Sequence, residues 1–226
     1  MTKKLVWLIR HGQTTGNAEK RYIGKRTDEP LSAAGVHAAE TFGELLAAEC
    51  DRSWREVFPK LPISLRICTG PLQRTRQTAE ILEDALSKTL FSDGRRLPAE
   101  VIGSLTEIDF GRFEGKNYKE LNGDPLYQSW IDSGGRDPFP EGESREEFVQ
   151  RSWQGFLEAL GDIKKEEAVI LVCHGGNIKS VMERLTGEDY FSFLTVNLGG
   201  YRVVLETEDA GITHCTYHRI DGRPDP

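Results

Sequence analysis

The sequence predicts a three-layer α/β/α sandwich built on a mainly parallel central sheet with an antiparallel strand. Short, nearly all-apolar runs recur at residues 4–9 (KLVWLI), 63–69 (ISLRICT) and 168–173 (AVILVC), as in strands buried on both faces. A stretch with helical apolar spacing follows each run, the alternation that builds parallel sheets. No linker or internal repeat divides the 226 residues, a length that suits one core, so a single domain spanning 1–226 is expected.

The elements follow in order. Residues 32–49 read as a helix capped by Ser32, with Val36, Ala39, Phe42, Leu45 and Leu46 at helical spacing. The run "GPLQRTRQTAEILEDALSK" starts a second helix with Pro71 near its first turn, and Leu72, Thr75, Ala79, Leu82 and Leu86 form its stripe. Residues 101–143 break the alternation: Gly, Pro, Asn, Asp and aromatics crowd there without clean periodicity, which marks an inserted lid or cap. A long helix follows. "SREE" at Ser144–Glu147 is its capping box, and Val149, Trp153, Phe156, Leu157 and Leu160 form its apolar face. "HGGNIKSVMERL" is a glycine turn into another helix. "YRVVLE" and "THCTYHRI" read as a closing antiparallel pair, and "DGRPDP" as a frayed end.

Composition excludes several classes. A formal charge of −7 argues against a nucleic-acid partner, whose footprint is basic. The apolar stretch near the start is too short for a secretory h-region, and no run is long enough to span a membrane. Cys50, Cys68, Cys173 and Cys215 are widely spaced and read as reduced thiols, so a cytoplasmic protein is expected.

Ligands of such sheets bind at the carboxyl ends of the strands. Arg10 and His11 end the first strand, Arg74 follows the second, and His174 follows AVILVC. No metal-ligand spacing, G-x-S-x-G elbow or phosphate-binding glycine loop accompanies them, so no metal or cofactor is expected. What remains is an anion pocket containing a histidine. Arginine donates bidentately to phosphoryl oxygens, and a neutral histidine is a nucleophile. The guanidinium groups of Arg10 and Arg74 would keep His11 neutral and stabilise charge on a transferring phosphoryl group. For the proton donor Glu107 is the first choice, Asp109 the second and Glu114 the third. Arg76, His37, His214 and His218 read as solvated or structural. The aromatics Phe110, Phe113, Tyr118, Tyr127, Trp130 and Phe139 fit either a satellite core or a lid that stacks on a leaving group.

The motifs RHGQTTGN, RYIG, LSAAG, GPLQRTRQTAE, EIDFGRFEG, FPEGES and CHGGNIK occur in this order over residues 4–185. Together they resemble the histidine phosphatase superfamily, also called phosphoglycerate mutase-like. The resemblance implies His11 as a phosphohistidine nucleophile, Arg10, Arg74 and His174 as the rest of the phosphate pocket, and Glu107 as acid and base. It implies Gln13, Asn17, Ile23, Gly24 and Gly175 as substrate-binding residues. Thr69 and Gly70 replace the commoner pair of serines before Pro71. "TEIDFGRFEG" is similar to the phosphatase branch rather than to the mutases, and the stretch through FPEGES to α-ribazole phosphatases of cobalamin assembly. The function so implied is a metal-independent phosphomonoesterase acting on a small phosphorylated metabolite, such as α-ribazole 5′-phosphate. A mutase-type phosphotransferase and a catalytically silent phospho-ligand binding module are the alternatives.

Overall fold

The polypeptide, seen in a computed structural model that describes residues 1–60 and 64–221, enters the sheet at once. In chain order the strands and α-helices are β1 (Thr2–Arg10), α1 (Thr15–Ala18), α2 (Ala33–Val57), β2 (Leu65–Thr69), α3 (Gln73–Leu90) and β3 (Glu100–Val101). Then come α4 (Tyr118–Leu121), α5 (Pro125–Asp132), α6 (Arg145–Leu160), β4 (Glu167–Cys173), α7 (Gly175–Thr186), β5 (Gly200–Glu208) and β6 (Gly211–Ile220).

The sheet order is β3-β2-β4-β1-β5-β6. Parallel pairing joins β3, β2, β4 and β1, while β5 runs antiparallel to both β1 and β6. One strand therefore opposes the common direction, as the sequence implies. The two central strands pair in register from Lys4 opposite Glu167 to Arg10 opposite Cys173. That register brings the polar residues after each strand to one edge.

Alternation along β1 assigns its side chains to two layers. Leu5, Trp7 and Ile9 pack with Phe42, Leu46 and Trp54 of α2 and Leu82 and Leu86 of α3. Val6 and Leu8 pack on the other face with Phe156 and Leu160 of α6 and Ile178 and Met182 of α7. Each such side chain, withdrawn from water, contributes roughly 1.5–3 kcal/mol, so these two layers hold the sheet between its helices.

Several expectations change in detail. The second helix of the chain runs on to Val57 rather than stopping at 49, because Cys50 and Trp54 keep the buried stripe in period. The ion pairs Glu49–Arg52 and Asp51–Arg55 decorate its outer face. Leu45 and Leu157, counted with the apolar faces of their helices, are 46% and 36% exposed because they lie at the edges of those stripes. Pro71 does lie near the first turn of α3, directly before the N-cap Leu72. Ser144 and Glu147 do form the reciprocal capping box that starts α6. Val101, at the head of the irregular segment, belongs to the sheet through β3. The expected strand residue 63 and the residues 222–226 of the expected frayed end lie outside the described residues. No helix among the described residues is long and apolar enough to cross a membrane.

Candidate active site

Where β1 ends, the backbone N–H of His11 donates to the Cys173 carbonyl at 3.0 Å, which ties the two strand ends together. The next N–H, from Gly12, donates to the Thr78 hydroxyl at 3.0 Å, and that hydroxyl donates to the Arg74 carbonyl at 2.7 Å. Two helix residues one turn apart thus hold the turn that carries His11.

The imidazole of His11 is 2% exposed. Its Nδ1 lies 2.7 Å from the Gly12 carbonyl oxygen. A carbonyl only accepts, so Nδ1 carries the proton and Nε2 keeps a free lone pair. Burial, then the charges of Arg10 and Arg74, push the His11 pKa well below its ordinary value; the Gly12 hydrogen bond opposes this weakly. The His174 ring stands edge-on to His11, with centroids 5.1 Å apart, and burial with the charge of Arg74 lowers its pKa as well. Among the described residues neither ring nitrogen of His174 has a hydrogen-bond partner.

The arginines are held by carbonyls rather than by carboxylates. Arg10 Nη1 donates to the Thr195 carbonyl at 2.9 Å. Arg74 donates to the carbonyls of Thr27, Ile23 and Gly24 at 2.8, 3.3 and 3.1 Å. Both Nε atoms are buried without a partner among the described residues. Buried donors left unpaired are costly, and here Arg10, Arg74 and His174 all carry them. Their common remedy is an anion with several oxygens.

The three candidate acids separate clearly. Glu107 is 9% exposed, and burial raises its pKa against the opposing pull of the Ile108 N–H and the charges of Arg74, Arg10 and Arg151. Arg151 clamps the backbone around it, donating to the carbonyls of Ser104, Thr106 and Glu107 and to the Glu143 carboxylate. Asp109 is also buried, which raises its pKa. The Gly111 N–H, Arg26 and Lys25 outweigh that and hold it low. Glu114 accepts from the backbone N–H groups of Gly24 and Thr27 and so pins the loop that holds Arg74. Gly176 makes room for Glu107: a Cβ there would sit 2.7 Å from Glu107 Oε1 and as close to the Phe148 ring.

A cavity of about 590 Å³ opens above this edge, bordered by Arg10, Glu107, Gly175 and Lys179 and walled by Trp130 and Phe139. The satellite-core expectation holds for most of these rings. Phe113, Phe139, Ile108, Leu121 and Phe148 form a small separate core with Tyr22, Phe110, Tyr127 and Trp130 packed on it. One side of that core is the cavity wall, whereas Tyr118 is 54% exposed and joins neither.

Other expected residues contribute indirectly. Ile23 and Gly24 present their carbonyls to Arg74. Asn17 caps the turn at Thr14, and its Oδ1 accepts from Asn197, whose Nδ2 also donates to the His11 carbonyl. The Gln13 carbonyl accepts from Ser32 at the start of α2. Arg76, His37, His214 and His218 are exposed. Sequence reasoning missed Thr195, Asn197, Tyr190, Phe191, Lys179, Arg145 and Arg151. Most lie in aperiodic stretches or on helix faces where only the folded chain shows what they touch.

A family model described as histidine phosphatase superfamily (branch 1) matches residues 6–214. The chain is 27% identical over 184 residues to an adenosylcobalamin/α-ribazole phosphatase of Escherichia coli (strain K12), covering 80% of this chain and 79% of that one. It is 30% identical to a probable phosphoglycerate mutase of Klebsiella pneumoniae (strain 342), covering 80% and 74%. The crystal structure of the α-ribazole phosphatase from Shigella flexneri shares the fold, with a TM-score of 0.70 at 22% identity over 96% of both chains. The chain therefore belongs to the histidine phosphatase superfamily, branch 1, and is a phosphatase of that type.

Proposed function

We propose that the protein is a metal-independent phosphomonoesterase that works through a phosphohistidine at His11. The supporting observation is the His11 ring itself: Nδ1 donates to the Gly12 carbonyl, Nε2 has no hydrogen-bond partner among the described residues, and the charges of Arg10 and Arg74 and the ring of His174 act on it while their own buried nitrogens are unpaired there.

In the first step the Nε2 lone pair attacks phosphorus and the bond to the leaving oxygen breaks. Glu107, whose pKa burial raises, passes its proton to that oxygen. In the second step water attacks the phosphohistidine, the P–N bond breaks, and Glu107 as carboxylate takes the water proton. Arg10, Arg74 and His174 hold the equatorial oxygens through both steps, where their charge and donors act most strongly. The segment 101–143 serves as the lid, since it supplies both Glu107 and the aromatic wall.

The substrate is a small phosphorylated metabolite whose leaving group has an apolar or aromatic body; α-ribazole 5′-phosphate is one member of that class. The four free thiols fit a reducing compartment such as the cytoplasm. A mutase would use the same phosphate pocket, and it is distinguished by rapid interconversion of phosphoglycerates that depends on a bisphosphate primer.

The test is acid-quench trapping with a labelled phosphomonoester. The wild type should retain acid-labile label. His11→Ala should retain none and lose turnover by roughly 10⁴-fold or more. Undiminished turnover in His11→Ala refutes the proposal.

A further inference from the structure

His174 is the N-cap of α7, and Asn177 is the third residue of that helix. Asn177 is fully buried, as is Ser152 on the facing helix α6. The next residues of α7 inside the fold, Ile178, Val181 and Met182, belong to the apolar layer beneath the sheet. An amide in such a place is costly unless its donors and acceptor are paired. Here they are. Oδ1 accepts from the backbone N–H of His174 at 3.2 Å. Nδ2 donates to the Thr106 carbonyl at 3.3 Å and to the Ser152 hydroxyl at 2.9 Å. An N–H only donates and a carbonyl only accepts, so these partners fix which way the amide points.

The partners belong to the two halves of the site. His174 stands edge-on to His11, and Thr106 immediately precedes Glu107. The Thr106 carbonyl also accepts from Arg151 of α6 at 2.9 Å, so a donor from each helix engages one of its lone pairs. Arg151 ties the backbone of the acid to α6. Asn177 ties it to the turn that carries His174. Between them in sequence, Gly176 leaves the space that Glu107 Oε1 occupies. A leucine at 177 would suit the apolar layer and fill a similar volume, yet it would release both backbones.

We propose that Asn177 is a positioning residue for proton donation: its amide sets the place of the Glu107 carboxyl relative to the phosphoryl group that His174 helps to hold. The inference rests on the phosphomonoesterase reading given above. Asn177 is buried away from the cavity and does not border it, so it acts through Glu107 rather than on the substrate. It therefore matters most where the leaving oxygen needs a proton. A reacting group misplaced by about 1 Å can cost roughly 10²-fold in rate.

The experiment reads one ratio, kcat/KM for 2-phenylethyl phosphate over kcat/KM for p-nitrophenyl phosphate. The first ester leaves as an alkoxide that needs a proton and the second does not. Both terms scale with the amount of folded enzyme, so the ratio is independent of it. Asn177→Leu should lower the ratio by about tenfold or more. Asn177→Ala, which leaves a cavity instead of a new apolar contact, is read in the same way. In a Glu107→Gln background, where the ratio is already low, Asn177→Leu should lower it no further. Met182→Ala opens a cavity on the same helix and should keep the wild-type ratio.

An unmoved ratio in both Asn177 variants overturns the positioning role. So does an equal fall in Met182→Ala, or a further fall in the double variant. If phosphohistidine is still trapped on the wild type, each of these results overturns the positioning role alone. Absence of trapped phosphohistidine on the wild type overturns the phosphomonoesterase reading itself, and the positioning role with it.

Discussion

The strands β1 and β4 bury charge at both of their ends, and the two ends treat it in opposite ways. At the amino end Lys4 is 0% and Glu167 3% exposed, opposite one another in register and 3.6 Å apart. Arg66 and Lys165 complete the neutralisation of Glu167 at 2.9 and 3.0 Å, and Lys4 also donates to the Leu160 carbonyl. At the carboxyl end, among the described residues, Arg10 and Arg74 have no carboxylate in contact, and their Nε atoms and both nitrogens of His174 are unpaired. Burial thus serves two purposes. At one end the desolvation of buried charge is offset in part by pairing, although burial still outweighs the partners of Lys4 and lowers its pKa. Unpaired charge at the other is a standing electrostatic cost that an anionic substrate relieves, and this is the arrangement that favours charge developing in a transition state.

The sharpest test of the unpaired end is Glu107→Gln. Turnover of esters with poor leaving groups should fall by roughly 10²–10⁴-fold, and p-nitrophenyl phosphate, which departs without a proton, should be affected less. The pH dependence follows from two shifts of opposite sign. His11, lowered by burial and the arginines, stays neutral and nucleophilic well below pH 6.5. Glu107, raised by burial, must be protonated, so activity falls on the alkaline side as pH rises through its raised pKa. The variant should lose that alkaline limb, and a limb that persists assigns the acid elsewhere.

A smaller effect is expected when the paired end is broken. Glu167→Gln leaves Lys4 buried without a counter-charge and should cost about 3 kcal/mol of stability, read by denaturant melts, with kcat unaltered. Burial raises the Glu167 pKa, but Lys165, Arg66 and Lys4 outweigh that and hold it below the ordinary carboxylate value. Its contribution is therefore complete above the unfolded carboxylate pKa and is lost as pH falls through the folded one. The variant's stability should accordingly vary less with pH on the acid side. A fall in kcat at unchanged stability would erase the distinction between the two ends.

The smallest effect belongs to Asp109→Asn. Asp109 is ion-paired with Arg26 and Lys25 and accepts from the Gly111 N–H. Its amide should alter kcat by less than about threefold and stability by about 1 kcal/mol. A loss as large as that of Glu107→Gln would transfer the acid role to Asp109.

How much of this was legible beforehand follows from where each residue sits. His11, Arg10 and His174 were readable because they end buried strands, and parallel sheets put such ends together. Arg74 was readable as the polar residue in the first turn of a helix after a strand. Glu107 could be ranked ahead of Asp109 and Glu114, but the physical ground for that ranking was not readable. All three occupy one aperiodic segment, and their differences arise from partners distant in sequence: Arg26 for Asp109, Gly24 for Glu114, and Gly176 for Glu107. Asn177 was equally silent, since a solvated helical asparagine and one buried between two backbones share the same spacing.

By itself, then, the sequence determined the layers, the strand ends that gather the histidines and arginines, and the family to which the chain belongs. It could do so because period, capping and strand polarity are local properties that survive translation into one dimension. Only the tertiary structure decided which carboxylate is buried without an ion pair, which imidazole nitrogen keeps its lone pair, and which buried amide joins the acid to the histidine turn. Those are properties of what approaches a side chain from elsewhere in the fold, and desolvation and Coulomb interaction depend on distance in space rather than along the chain.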